Sequence, residues 1–189
     1  SPGEGPEPGA SVVIPTWNTR ELVLECLRAL EPELPAPRSG AGARSEVWVI
    51  DNGSRDATAA AVRERFPWVG LLELPENRGY AGGVNAVLPR LRAPLWLLLN
   101  SDARLTPGSL GHLLRALSER PRVGLAGVQL VYPDGRLQSS VHAFPGLLGE
   151  LLPRRLLEAA APGRFLPTRR LAAGPSEVEA VRGAALCVR

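Results

Sequence analysis

Short runs of β-branched and leucine residues, each closing on a polar cluster, constrain the architecture of this chain most tightly. Val12-Val13-Ile14 leads into Pro15-Thr16-Trp17-Asn18, Val49-Ile50 into Asp51-Asn52-Gly53-Ser54, and Leu97-Leu98-Leu99 into Asn100-Ser101-Asp102. Longer amphipathic stretches separate them, which is how a parallel sheet with crossover helices reads. In an open sheet of that kind the ligand sits beyond the carboxyl ends of the strands, so the three clusters are expected to converge. The 189 residues include only five asparagines and four aspartates, and neither lysine nor methionine occurs. Each cluster alone also reads as a turn or a cap, because Asp, Asn, Gly and Ser favour such geometry without any ligand. Repetition after several strands favours a site.

Along the chain the first strand is expected at about Ser11 to Ile14. Thr19 then reads as the cap of a helix whose apolar stripe includes Leu22, Leu24, Leu27 and Leu30. Pro32 and Pro35 stop it, and Glu31 to Arg44 reads as a Pro/Gly/Ala-rich loop. A second strand is expected over Glu46 to Ile50, a helix capped by Asp56 and ended at Phe66-Pro67, and a third strand over Val69 to Leu74. Asn77 to Asn85 opens a glycine-rich helix, and Pro94 to Leu99 is apolar throughout and so must be covered on both faces. Thr106-Pro107 reads as a helix start running to about Glu119, and Val123 to Tyr132 as a strand ending in the turn Pro133-Asp134-Gly135. Leu147 to Ala161 is leucine-rich and amphipathic with a break at Pro153, and Val178 to Val188 resumes a strand pattern around Gly183.

Composition, at 44% hydrophobic and 22% charged residues, fits one globular domain over residues 11–189 after a disordered tail at 1–10. A net charge of +3 with no basic stripe argues against a nucleic-acid partner. Cys26 and Cys187 are too far apart for a metal knuckle and read as free thiols suited to the cytoplasm. His112 and His142 lack partners at metal-ligand spacing. No apolar stretch approaches the roughly 20 residues of a membrane span. Leu147 to Leu157, with Arg154 and Arg155 beside apolar residues, reads as a buried helix or a flap, and less readily as a peripheral contact with the inner face of a membrane. The sequence fixes no oligomeric state.

A nucleotide needs an acceptor for its base or ribose donors, a job Asp51 can do, and its diphosphate is commonly bridged by a divalent cation on a carboxylate, for which Asp102 is available. A dinucleotide-dependent oxidoreductase is disfavoured, because Pro15-Thr16-Trp17-Asn18 replaces the Gly-x-Gly-x-x-Gly turn after the first strand. In company, the motifs resemble family 2 glycosyltransferases of the GT-A fold, an α/β architecture with a Rossmann-like, mostly parallel sheet and helices on both faces. The first two clusters resemble that family's nucleotide loops. Glu76-Asn77-Arg78-Gly79-Tyr80-Ala81-Gly82-Gly83-Val84-Asn85 resembles a segment of its rhamnosyltransferase-like members, and Leu99-Asn100-Ser101-Asp102 stands where the family keeps its Asp-x-Asp metal motif or a degenerate form.

The resemblance implies a nucleotide-diphosphate sugar donor, dTDP-rhamnose-like or a UDP-sugar, and a glycan or lipid-linked acceptor in cell-envelope polysaccharide assembly. It implies a nucleotide pocket from Pro15, Thr16, Asn18, Asp51, Asn77, Gly79, Asn85 and Ser101, with Asp102 on Mn²⁺ or Mg²⁺. The catalytic base of the family follows a strand resembling Gly183-Ala184-Ala185-Leu186-Cys187-Val188-Arg189, so the resemblance puts the base beyond Arg189 and the acceptor-side C-terminal part outside this chain. A non-catalytic nucleotide-sugar-binding module is the alternative reading.

Overall fold

The computed structural model describes residues 9–34, 45–142, 153–160 and 175–189. By their contacts they form two compact units, one running to Ala126 and resuming at Gly183–Arg189, the other spanning Gly127–Arg182.

In the first unit, strands β1 (Ala10–Thr16), β2 (Glu46–Asp51), β3 (Gly70–Glu73), β4 (Leu95–Leu99), β5 (Leu125–Gly127) and β8 (Ala185–Val188) form one sheet in the order β3-β2-β1-β4-β8-β5. β1 pairs in parallel with both β2 and β4, and β2 with β3, while β8 runs antiparallel to β4. The mostly parallel α/β sheet expected from the alternation is therefore present. Every residue of β1 is buried, as a central parallel strand requires.

Successive side chains along a strand point to opposite faces. Val13 and Ile50 face one side, where they pack with Val84 and Val87 of α3 (Gly79–Val87) and with the half-buried Trp48, Leu72 and Leu98. The alternate residues Val12, Ile14, Val49, Leu97 and Leu99 are fully buried on the opposite side. That leaves the buried stripes of α1 (Arg20–Leu30), α2 (Thr58–Arg65) and α4 (Ser109–Ser118) to cover it. Those of α1 and α4 are Val23, Leu24, Cys26, Leu27 and Leu30, and Leu110, Leu113, Leu114 and Leu117, both at helical spacing.

Sequence expectation and structure part at several places. Leu22 is exposed, and the buried stripe of α1 is offset to include Val23 and Cys26. α4 starts at Ser109, because Thr106-Pro107 forms a turn closed by the Ser109 N–H on the Thr106 carbonyl and Gly108 takes the left-handed N-cap position. The Glu33 carboxylate caps that helix from a 3₁₀ turn at Glu31–Glu33, accepting the Gly108 and Leu110 N–H groups at 2.8 and 3.1 Å. Only Leu125–Gly127 of the expected strand Val123 to Tyr132 joins the sheet. The chain then enters a hairpin in which Val131 bridges Leu137 and Gly135 takes φ +82° at the expected turn.

The second unit also holds β6 (Val141–His142) paired with β7 (Ala180–Val181), and helix α5 (Arg154–Ala160). Residues 147–152 and 161 of the expected leucine-rich segment, the tail at 1–8 and the loop at 35–44 lie outside the described residues. Both cysteines are free and buried, and burial pushes their thiols up, Cys26 to about 12 and Cys187 to about 11. Among the described residues no helix is long and apolar enough to cross a membrane.

Candidate functional site

Parallel pairing of β1 with β2 and β4 brings the polar clusters to one edge of the sheet. Thr16 pairs with Asp51 at the end of β1 and β2, and Val13 pairs with Leu98 two residues before Asn100. The first two clusters are stapled to each other. The Asn52 N–H donates to the Thr16 carbonyl at 2.9 Å, the Asn18 N–H to Ser54 Oγ at 2.9 Å, and the Arg55 N–H to Asn18 Oδ1 at 2.8 Å. Asn18 adopts a left-handed φ of +52°, which asparagine tolerates better than most residues. Asp51 is buried and closes its own turn by accepting the Ser54 N–H on Oδ1 at 3.0 Å, with no donor to Oδ2 among the described residues.

Asp56 ties two helix starts together. Its Oδ2 accepts the Arg20 N–H at the start of α1 at 3.0 Å, and its Oδ1 accepts the Thr58 N–H at 3.1 Å and the Thr58 hydroxyl. Capping by Asp56 was expected, although the N-cap residue of α2 is Ala57, in a left-handed conformation. Burial alone would raise the Asp56 pKa, but the bonds from the Thr58 hydroxyl and the Arg20 and Thr58 N–H groups hold the carboxyl below its usual range.

The third segment reaches this edge through Asn52. Its buried side-chain amide donates to the Gly79 carbonyl and accepts the Arg78 N–H, both at 2.9 Å, at the start of α3. Asn77 Oδ1 takes the Gly79 N–H at 2.8 Å, and Gly79 adopts φ +70°. A Cβ on Gly53 would stand 2.9 Å from the backbone of Glu76, and Gly53 also has φ +77°, so only glycine lets the second cluster and this segment meet. Gly83 packs against Asn52 in the same way, a Cβ there meeting Nδ2 at 3.3 Å.

The turn after β4 is built differently. Its backbone is fixed by the Asn100 N–H on the Ala184 carbonyl and the Ala103 N–H on the Asn100 carbonyl. Ser101 Oγ lies 3.2 Å from Thr19 Oγ1, which lies 2.6 Å from Thr16 Oγ1. Among the described residues Asn100 Oδ1 is enclosed without a donor, and the exposed Asp102 carboxylate has neither hydrogen bond nor salt bridge. Beside it Arg104 pairs with Glu25 of α1, and the Asp102 charge adds to the upward shift of the Cys26 thiol beneath.

The residues singled out in the sequence thus fall into two groups. Pro15, Thr16, Asn18, Asp51, Asn77 and Gly79 lie in one hydrogen-bonded set of loops, with Ser101 joined to it through Thr19. Asn85 is exposed further along α3 and has no bond to those loops. Asn52, Ser54, Thr19 and Asp56 organise the edge and were not on the sequence-derived list of site residues. Their signal was the density of Asp, Asn, Ser and Thr after each strand, which does not reveal long-range partners. Among the described residues no three His, Cys, Asp or Glu side chains converge as a metal cage. The turn offers an exposed Asp102 carboxylate and the Ser101 hydroxyl, oxygen groups of the kind that a hard cation takes.

Residues 11–169 match the Glycosyl transferase family 2 model. An N-acetylglucosaminyl-diphospho-decaprenol L-rhamnosyltransferase of Mycobacterium tuberculosis is 34% identical over 113 residues, which are 54% of this chain and 37% of that protein. A succinoglycan biosynthesis protein, ExoO, of Rhizobium meliloti is 30% identical over 131 residues, 68% of this chain and 36% of that protein. The match thus spans little more than a third of the length of these two relatives. A mannosyltransferase from Pyrobaculum calidifontis, solved with GDP-Man and Mn²⁺, superposes with a TM-score of 0.62 over 96% of this chain and 44% of that one, at 23% identity. A glucosyl-3-phosphoglycerate synthase from Mycobacterium tuberculosis, solved with Mn²⁺, UDP and its product, superposes with a TM-score of 0.58 over 96% of this chain and 56% of that one, at 17% identity. These likenesses establish the GT-A fold.

Proposed function

The chain belongs to glycosyl transferase family 2, and from that premise we propose that it carries the donor-binding half of a metal-dependent, inverting glycosyltransferase. The donor is a nucleotide-diphosphate sugar, with dTDP-rhamnose or a UDP-sugar as the class. The acceptor is a glycan or lipid-linked saccharide, met at the cytoplasmic face of a membrane. The observation that carries this reading is the set of interlocked polar loops at the carboxyl ends of β1 and β2, beside an unengaged Asp102 at the end of β4.

In this reading the free Asp51 Oδ2 accepts a donor N–H or O–H of the nucleoside, in a buried setting where an unpaired partner is costly. Thr16, Asn18 and Pro15 shape the wall of that pocket, and Asn77 and Gly79 hold the start of α3 beside it. Asp102, with Ser101 next to it, would hold Mn²⁺ or Mg²⁺ against the diphosphate. The bound cation supplies positive charge where negative charge develops on the departing oxygen. The acceptor hydroxyl oxygen forms a bond to the anomeric carbon from the face opposite the diphosphate. The carbon–oxygen bond to the diphosphate breaks with its electron pair, and the hydroxyl proton passes to a base that we do not assign to a described residue.

Thermal unfolding of the chain with dTDP, UDP or GDP, each with Mn²⁺, Mg²⁺ or chelator, tests the reading, since a ligand selective for the native state raises its stability by mass action. A metal-dependent rise for one nucleotide is expected. No rise with any of them rejects donor binding by this chain.

A further inference from the structure

Thr19 holds the N-cap position of α1, yet its side chain makes no capping bond. Its hydroxyl instead stands between two others, 2.6 Å from Thr16 Oγ1 and 3.2 Å from Ser101 Oγ. The acceptor for the first turn of α1 comes from a different loop, as Asp56 Oδ2 takes the Arg20 N–H at 3.0 Å. This replacement cap releases Thr19 from the job its sequence position suggests. The released hydroxyl completes a row of three that crosses from the end of β1 to the turn after β4.

We propose that Thr19 is a positioning residue that couples the two halves of the donor site, so that a cation at Asp102 and a nucleotide at the β1 and β2 loops strengthen each other's binding. The inference rests on the nucleotide-binding reading above. The Thr16 backbone is fixed independently by its place in β1 and by the Asn52 N–H on its carbonyl, so the frame of the nucleotide side stands without Thr19. Among the described residues the Ser101 and Asp102 side chains have no other tie to the β1 loop. Loss of the Thr19 hydroxyl therefore removes the side-chain tie on the Asp102 turn and leaves it to its backbone bonds, Asn100 N–H to Ala184 and Ala103 N–H to Asn100, while the nucleotide loops keep their backbone bonds. By linkage the loss is the same whether read as metal affinity in the presence of nucleotide or as nucleotide affinity in the presence of metal.

Thr19→Val keeps the β-branched shape, removes the hydroxyl and costs no capping bond, while Thr19→Ser keeps the hydroxyl. Titration calorimetry of the chain with UDP and with dTDP, in Mn²⁺ and in EDTA, reads the coupling. Thr19→Val is expected to cut the Mn²⁺-dependent gain in affinity about three- to tenfold, the scale of a neutral hydrogen bond. The metal-free affinity stays near its original value and Thr19→Ser recovers most of the gain. An unchanged gain, or an equal loss with and without Mn²⁺, overturns the proposal. Amide hydrogen exchange on the unliganded protein gives a second readout that needs no nucleotide. Thr19→Val should speed exchange of the Ala103 amide, held by the Asn100 carbonyl, more than that of the Asn52 amide, held by Thr16. Unchanged exchange at Ala103 also overturns it. If the original chain binds neither nucleotide, the donor-site reading fails and the exchange result still decides whether Thr19 holds the turn.

Discussion

The loops after β1 and β2 and the turn after β4 stand at one edge of the same sheet, but their polar groups are used in opposite ways. In the first region nearly every group is committed to the fold: Asn18 to Ser54 and Arg55, Asn52 to Thr16, Arg78 and Gly79, and Asp56 to Arg20 and Thr58. In the second, Asn100 Oδ1 and the Asp102 carboxylate are left without partners among the described residues. An enclosed oxygen with no donor costs stability that a folding-only turn would recover by substitution. The contrast separates loops committed to the fold from a turn that, in the reading proposed above, keeps its oxygens for a ligand. It also ranks substitutions, because those in the scaffold are felt in unfolding free energy and those in the turn are felt in binding.

The largest loss of stability is expected for Gly53→Ala. The new Cβ meets the Glu76 backbone at 2.9 Å and must sit at φ +77°, so neither a rotamer change nor a small shift relieves it. A cost of about 2–4 kcal/mol follows from left-handed strain plus the clash, read as a lower urea midpoint at unchanged slope. A midpoint within experimental error of the original would break the idea that these loops are locked together. Asn52→Ala comes next, at roughly 1–3 kcal/mol, because it leaves the Gly79 carbonyl and Arg78 N–H without their partner.

How far the sequence revealed this arrangement depends on the range of the interaction. β1, β2 and β4 were legible, because β-branched and leucine runs buried on both faces leave little alternative. Leu24, Leu27 and Leu30 of the expected α1 stripe are buried and Leu22 is not, since Leu22 and Val23 both satisfy helical spacing and only tertiary packing selects Val23. Val123 to Tyr132 has strand composition, but composition does not name the pairing edge. Only Leu125–Gly127 finds the sheet, and Val131 turns to Leu137 instead. At the edge itself, Thr19 followed a sound local rule and was overruled by Asp56, 37 residues further on. Asn52 looked like part of a turn and proved to be the anchor of α3. Local chemistry marked where the polar groups cluster, and long-range partners decided what each one does.

Asp56→Asn sharpens the comparison with a smaller effect, about 1 kcal/mol at neutral pH. The amide keeps one acceptor oxygen, so either the Arg20 or the Thr58 N–H loses its bond. Because the Asp56 carboxyl is held below its usual range in the folded state, its contribution is complete above the ordinary aspartate pKa and is withdrawn as pH falls toward the lowered value. Chemical unfolding followed as the pH is lowered from neutrality should therefore show the variant and the original chain converging in stability. Parallel curves would mean the carboxylate is not what stabilises the two helix starts. The acid limb does not vanish in the variant, since Glu46, held low by bonds from the Ser11 hydroxyl and the Arg92 N–H against its own desolvation, titrates in the same direction.

The smallest change in stability is expected for Asp102→Ala, and its value lies in that smallness. The side chain is exposed and unbonded, so the unfolding midpoint should move within the roughly ±0.5 kcal/mol typical of surface positions. Nucleotide affinity should meanwhile lose its dependence on Mn²⁺, as calorimetry with and without chelator would show. A residue can fail such a test in two informative ways. If stability falls as it does for Asn52→Ala, the turn after β4 is scaffold like its neighbours, and the division between the two regions dissolves. If stability holds and the Mn²⁺ dependence survives, the division stands but Asp102 is not the metal ligand. The enclosed Asn100 oxygen two residues earlier then becomes the group whose unspent chemistry needs a ligand.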